Sequence, residues 1–395
     1  MNLRQLFLNN VAQTSDSPLA LEFPFAEGSF LFDKQNKKYL DLISGISVSN
    51  VGHRHPKVVE AIKNQVDQYM HQLVYGEFIQ SPQVLLAAAL VDTLSSSLSH
   101  RSEIIDNVYF TNSGAEAVEG AMKLAKRFTG RSEIIACRYA YHGSTQGALS
   151  LGEDFYNRNF RPLLPDIGKI RRNYIEDIDK ITTKTAAVII EPIGAESGVW
   201  STDIAFMKAL SERCLETGTL LIFDEIQTGL GRTGKMWALE HFGFAPDILL
   251  SAKALGGGLP LGAFMASKRI MSCLMNNPVL GHITTFGGNP VSCACGLASL
   301  IVLLEEISLE EVIRKGEMIK SIFNSYSEVK SVRGKGLMLA AEFENFAVLK
   351  AHIDDYIQAG VITDWFLYCD NTMRISPPLN ISDDEIQFLE SVILG

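Results

Sequence analysis

Lys253 stands in the run Leu249–Gly258, LLSAKALGGG, among apolar and small residues and directly before three glycines. An amine in such surroundings loses hydration, so its pKa falls below the ordinary value of about 10.4 and it becomes a nucleophile and proton carrier near neutrality. Condensation with a carbonyl cofactor to a Schiff base would also remove the charge that makes burial costly. Ala252, Ala254, Gly256, Gly257 and Gly258 leave room for a planar group close to the backbone. Asp224 ends the apolar run LLIFD, and open α/β sheets place ligands at the carboxyl ends of their strands. A buried carboxylate there calls for a cation, and a protonated ring nitrogen is one that makes the ring an electron sink. Gln227, just beyond, is placed to donate to a ring oxygen. Taken singly, a lysine at a strand end more often snorkels and an aspartate more often caps a helix. Company decides.

That company begins with TNSGAEA, where Ser113, Gly114 and Ala115 open a helix whose free N–H groups and dipole favour an anion such as phosphate. Ser113 and Glu116 read as a capping box. In AYHGST, Tyr141 beside His142 offers a face for stacking, although a buried core tyrosine is the blander alternative. Two look-alikes are set aside. GLGRTG (229–234) fits a dinucleotide pattern, but DEIQT separates it from the strand and the helix starts only near Met236, which argues against a dehydrogenase. GHRHP (52–56) imitates a metal pair that no cysteine or carboxylate cluster completes, so structural histidines and no metal are expected.

The elements that must position these residues alternate strand and helix. NVYFT (107–111), EIIAC (133–137), AAVIIE (186–191), TLLIFDE (219–225) and DILLS (247–251) read as strands, with helical stretches such as IAFMKALSERCLETG between them. This predicts an α/β protein with a mostly parallel sheet covered on both faces. Residues 22–43 suggest short antiparallel strands around a turn at Lys34–Lys37, and the end mixes helices with strands such as LMLAAEF. The expected division is a large α/β domain at 51–290 and a smaller α+β domain built from 1–50 and 291–395. The chain has 395 residues and a net charge of -10, which argues against binding nucleic acid over its whole surface. No apolar run approaches the roughly 20 residues of a membrane span. The start, MNLRQLFLNNVAQ, shows no export signal, and the six cysteines lack C-x-x-C spacing, so free thiols in a reducing cytoplasm are expected.

Together the segments YLDLISGISVSNVGHRHP, NSGAEAVEGAMKLAKRFTGR, YHGST, EPIGAESGV, the stretch from LLIFDEIQTGLGRTGK to LGAFMAS, GHITTFGGNP and RGKGLM span nearly the whole chain. It resembles the class III pyridoxal-phosphate aminotransferases, the family of acetylornithine, ornithine and 4-aminobutyrate aminotransferases. The resemblance implies fold type I of the pyridoxal-phosphate transferases and a homodimer with shared active sites. It implies catalytic Lys253 and Asp224, and a cofactor cradle of Ser113, Gly114, Ala115, Tyr141, His142, Glu191, Asp224, Gln227, Lys253 and Thr285, the last reaching the neighbouring subunit's phosphate. It also implies that Arg374, in MRISPPL, grips the oxo-acid carboxylate, that Glu196 pairs with it when no carboxylate is bound, and that Thr284 lies near substrate.

Two residues depart from the pattern. Ser144 stands where acetylornithine-type enzymes commonly carry an arginine for the donor carboxylate, which leaves open whether Arg138 substitutes. Ile46 stands where ornithine δ-aminotransferases carry tyrosine. The implied reaction moves an amino group, from an ω-amine donor, to 2-oxoglutarate in two half-reactions. A same-fold aminomutase, racemase or decarboxylase, and a catalytically silent binding protein of this fold, are the alternatives.

Overall fold

Runs of β-branched and aromatic residues covered on both faces make the strands that flank the candidate residues. The computed structural model describes residues 2–95, 99–100 and 103–395. Near the N-terminus β1 (Phe25–Glu27), β2 (Phe30–Phe32) and β3 (Lys38–Asp41) form an antiparallel meander. The turn before β3 is held by Asp33, whose Oδ1 accepts the N–H groups of Gln35 and Lys37 at 2.8 and 2.9 Å. The central sheet contains β4 (Asn107–Thr111), β5 (Glu133–Cys137), β6 (Ile167–Ile170), β7 (Thr185–Ile190), β8 (Leu220–Asp224), β9 (Ile248–Ser251) and β10 (Gly262–Ala266). Their spatial order is β4-β10-β9-β8-β7-β5-β6. All neighbours run parallel except β10, which is antiparallel to β9 and β4. Strands β6 (IGKI) and β10 (GAFMA) lie outside the expected runs, because glycine, alanine and lysine weaken the strand signal.

Successive residues of β8 point to opposite faces, as the strand period of two requires. Leu221 and Phe223 join one apolar cluster, Leu220 and Ile222 the other. Helix α1 (Gly114–Thr129) covers the second face with Val118, Ala121, Met122, Leu124 and Ala125, all buried. It is capped at its start by Ser113, whose Oγ accepts Glu116 N–H at 3.2 Å. The expected capping box is only half formed: the Glu116 carboxylate reaches past Ser113 and takes Asn112 N–H at 2.8 Å.

The chain ends meet. In the C-terminal region β11 (Ser331–Lys335), β12 (Met338–Glu342), β13 (Val361–Ile362), β14 (Trp365–Phe366) and β15 (Cys369–Ile375) follow. Strands β11, β12, β15 and β14 make one antiparallel sheet, whereas β13 pairs parallel with β3, Val361 opposite Leu40. His53 and His55 of the GHRHP turn pair with Asp41 at 2.8 Å and Glu306 at 3.3 Å. All six cysteines are free, Cys273 and Cys369 only partly buried.

Gly262 marks the closest approach of β10 to the start of α1. A Cβ there would lie 2.3 Å from the Ser113 carbonyl oxygen and 2.5 Å from Thr111 Oγ1. Gly262→Ala should therefore destabilise the fold by about 1–3 kcal/mol in urea unfolding and displace Ser113. A variant as stable as the parent would show that the strands can spread.

Candidate active site

Ser113, Tyr141, His142, Glu191, Gln227 and Lys253 follow the carboxyl ends of the central strands β4, β5, β7, β8 and β9, and Asp224 is the last residue of β8. The parallel direction of those strands gathers them, with Gly114 and Ala115, around one cavity of about 720 Å³. Lys253 begins a single 3-10 turn immediately after β9 and has φ +50°, a strained value for a side-chain-bearing residue. Its Nζ donates to Gln227 Oε1 at 3.2 Å. Burial pushes its pKa below the ordinary lysine value, against the opposing pull of Glu196 and Asp224.

Asp224 is buried, and both of its oxygens are engaged. Oδ1 accepts Ile226 N–H at 3.0 Å and Oδ2 sits 2.6 Å from His142 Nδ1. Three polar atoms on the cavity-lining residues are left buried without a partner: His142 Nε2, Glu191 Oε2 and Gln227 Nε2. Each such atom costs about 1–3 kcal/mol unless something else satisfies it. Their convergence at one cavity marks a site shaped for a polar ligand. Burial pushes the Glu191 carboxyl up to about 7, with His142 and Arg172 opposing and Asp224 adding repulsion.

Arg374 and Glu196 do not line the cavity but form a buried fork-to-fork pair, Nη1–Oε1 3.0 Å and Nη2–Oε2 3.2 Å. Burial alone would raise the Glu196 carboxyl, but Arg374 more than offsets it and holds the group below its ordinary range. Both charges bear on Lys253. Thr284 lies one bond away from the cavity, accepting from Asn112 Nδ2 at 3.0 Å, while Thr285 is exposed and lines no part of it.

The reading of the sequence missed two partners. Asp364 accepts Arg374 Nε at 2.8 Å, and so binds the guanidinium edge that Glu196 leaves open. Arg232, in the discounted GLGRTG run, is fully buried with no carboxylate partner among the described residues. It donates to the carbonyls of Leu337 (2.9 Å) and Pro377 (2.6 Å), to Asn50 Oδ1 (2.6 Å) and to Ser44 Oγ (3.4 Å). Burial brings its pKa down to about 9. It braces a strained turn, since Ser44, Gly45, Ile46 and Ser47 all have positive φ, and the next residue, Val48, lines the cavity.

A family model described as Aminotransferase class-III matches residues 11–393. The acetylornithine aminotransferase of Methanocaldococcus jannaschii is 39% identical over 377 residues, covering 92% of this chain and 90% of its own. The chain belongs to the class III aminotransferases. The LysW-aminoadipate semialdehyde/glutamate semialdehyde transaminase of Sulfolobus acidocaldarius is 40% identical over 332 residues, 82% of either protein. Among solved structures, an ornithine aminotransferase from Toxoplasma gondii has a TM-score of 0.89 at 28% identity, covering 99% of this chain and 92% of its own. A pyridoxal-phosphate-bound amine transaminase from an uncultivated Pseudomonas species has a TM-score of 0.86 at 26% identity, covering 98% and 96%.

The cofactor of this class III aminotransferase is pyridoxal phosphate, a ligand that suits the unpartnered donor and acceptor atoms of the cavity. Gly114 keeps the helix start open, since a Cβ there would lie 2.9 Å from Ile226 Cδ1. At one departure from the family pattern Ser144 Oγ lies 3.0 Å from Tyr141 Oη, and Arg138, the residue weighed as a substitute there, turns to Glu153 at 2.9 Å in a different cavity. Arg138 therefore does not stand in the cavity for the missing arginine.

Glu191 gives a pH test. Its native pKa lies above that of an exposed carboxyl, so its contribution to stability is full below about pH 4 and is lost as pH rises through about 7. Glu191→Gln cannot ionise, and its stability in urea should gain on the parent between about pH 5 and pH 8. A difference that stays flat across that range would show Glu191 to be ionised throughout.

Proposed function

We propose that this enzyme moves an amino group from an ω-amine donor, of the acetylornithine, ornithine or 4-aminobutyrate type, to 2-oxoglutarate by a ping-pong mechanism. The observation that carries the reading is the buried Arg374–Glu196 pair beside Lys253. In the first half-reaction Glu196 neutralises Arg374, and the donor's uncharged reach occupies the cavity. In the second, Glu196 gives way and the guanidinium fork takes the carboxylate of the oxo-acid. A single such fork suits substrates that bind in turn. The relatives named for acetylornithine and semialdehyde substrates support the donor class.

Bound pyridoxal phosphate supplies an electron sink for the carbon that exchanges its proton. Lys253 is assigned to hold the cofactor and to take and return that proton, a task that its lowered pKa suits. Asp224, kept oriented by His142 and Ile226 N–H, would hold the ring nitrogen of the bound cofactor protonated. Gln227 Nε2, unpartnered in the cavity wall, would donate to the ring oxygen, Tyr141 would offer its face to the ring, and the N–H groups of Ser113, Gly114 and Ala115 would hold the phosphate. Glu191, whose carboxyl burial pushes up to about 7, lines the same wall.

The chain is assigned to a homodimer in which Thr285 completes the partner's phosphate site. Its exposure, and that of Val279, Leu280 and Phe286 close to it in the chain, supports this reading. The pairing of β3 with β13 supports the division into a large domain at 51–290 and a small one from both ends. A cytoplasmic location accords with the free cysteines; among the described residues no single helix is long and apolar enough to cross a membrane.

Lys253→Ala should retain bound cofactor and lose about 10²–10⁴-fold in transamination rate, measured by stopped-flow absorbance with a donor panel. Rapid turnover would remove the assigned role. Arg374→Lys should lower kcat/KM for 2-oxoglutarate on the order of 100-fold while the cofactor spectrum and donor half-reaction persist. Unchanged acceptor kinetics would assign the carboxylate to another group.

A further inference from the structure

A second cavity, of about 460 Å³, opens beside Arg138 and shares no lining residue with the first. Three cations line it: Arg138, Arg161 and Lys169. Its two carboxylates are already committed. Glu153 accepts Arg138 Nη2 at 2.9 Å and Tyr139 N–H at 2.8 Å, and Asp154 pairs with Arg161. Lys169 is different. Its Nζ donates to the Leu151 carbonyl, and no carboxylate lies within ion-pair distance of it among the described residues. Burial pushes its amine down to about 8; Glu153 opposes the shift and Arg138 adds repulsion. Arg138 is half exposed and spends one of its N–H groups on Glu153. Pro162, Leu163, Leu164 and Ile167 form an apolar part of the wall, and the polar side chains of Ser150 and Asn157 in the rest of it donate to the carbonyls of Gln146, Leu149 and Gly152.

We propose that this cavity is a second anion site that takes a short-chain carboxylate, seated between the Lys169 ammonium and the Arg138 guanidinium with its methylenes against Leu163, Leu164 and Ile167. An anion between the two cations turns their mutual repulsion into two attractions and uses donors that the fold leaves open. The planar guanidinium fork suits a carboxylate, and the apolar wall favours a hydrocarbon tail over a bare phosphate. Since Arg138 follows β5 and precedes Tyr141 by three residues, occupancy acts on the loop that forms one wall of the active site. The proposal is independent of the donor and acceptor assigned above, because its ligand contacts none of the residues that line the first cavity.

The test uses the holoenzyme and a limiting amount of an amine-acylating reagent at about pH 7.5, with labelled lysines mapped by mass spectrometry. Lys169 should label on the order of tenfold faster than the exposed Lys184 and Lys208, because far more of its amine is neutral. Succinate and butyrate should slow that labelling several-fold, inorganic phosphate should not, and Arg138→Gln should abolish the protection. Circular dichroism of the variant checks that it is folded, and calorimetric titration of Lys169→Gln should show butyrate binding weakened on the order of tenfold. An unreactive Lys169 would overturn the open-amine geometry. Phosphate protecting as well as the carboxylates, or protection that survives Arg138→Gln, would overturn the ligand assignment.

Discussion

Charge burial governs this molecule. Lys253 carries an amine into a wall of the sheet's mouth where Asp224, Glu191, Glu196 and Arg374 all act on it through poorly solvated space. None of these groups is tolerable there alone. Asp224 needs His142 and a backbone N–H, Glu196 needs Arg374, and Arg374 needs Asp364 as well. The positive φ of Lys253 adds strain that only a rigid surround can hold. The rest of the fold supplies that rigidity. The strands β4, β5, β7, β8 and β9 all deliver side chains from their carboxyl ends to one cavity.

The two chain ends complete the site, and one buried cation binds them together. Arg232 leaves the loop after β8 and reaches Asn50 and Ser44 from the beginning of the chain and Leu337 and Pro377 from its end. Burial lowers its pKa to about 9, with the charge of Asp41 opposing the shift. The turn it braces precedes Val48 in the cavity wall, while Pro377 follows the strand that carries Arg374. A glycine-rich stretch that imitates a nucleotide loop thus works as a bracket. Gly231 and Gly234 take φ values of +86° and +80° that allow the chain to double back around the arginine.

Class membership and substrate choice rest on different residues. The chain is 39–40% identical to relatives named for different substrates, from acetylornithine to aminoadipate and glutamate semialdehydes. What distinguishes this chain lies at the rim of the cavity. Ser144 turns to Tyr141 instead of offering a guanidinium, and Arg138 is committed to Glu153 elsewhere. Lys253, Glu191 and Asp224 are the acidic and basic groups of the cavity wall beside His142, all at its cofactor end. Val48, Ser144 and Thr145, all uncharged, also line the cavity.

Lys253, Asp224, Gln227 and the Ser113–Ala115 helix start were legible in the sequence because each is defined by local context, a polar group set at the end of an apolar run. The strands around them were legible for the same reason, whereas β6 and β10 were not, since glycine and alanine weaken the periodic signal. By itself the sequence determined the α/β class and the identities of the reactive groups. Only the tertiary structure decided which of them meet. Asp364 and Glu196 share Arg374 from opposite sides, and Arg232 reaches Asn50 across 182 residues. Such contacts leave no local pattern, because a buried charge is satisfied by whatever the fold brings within about 3 Å of it.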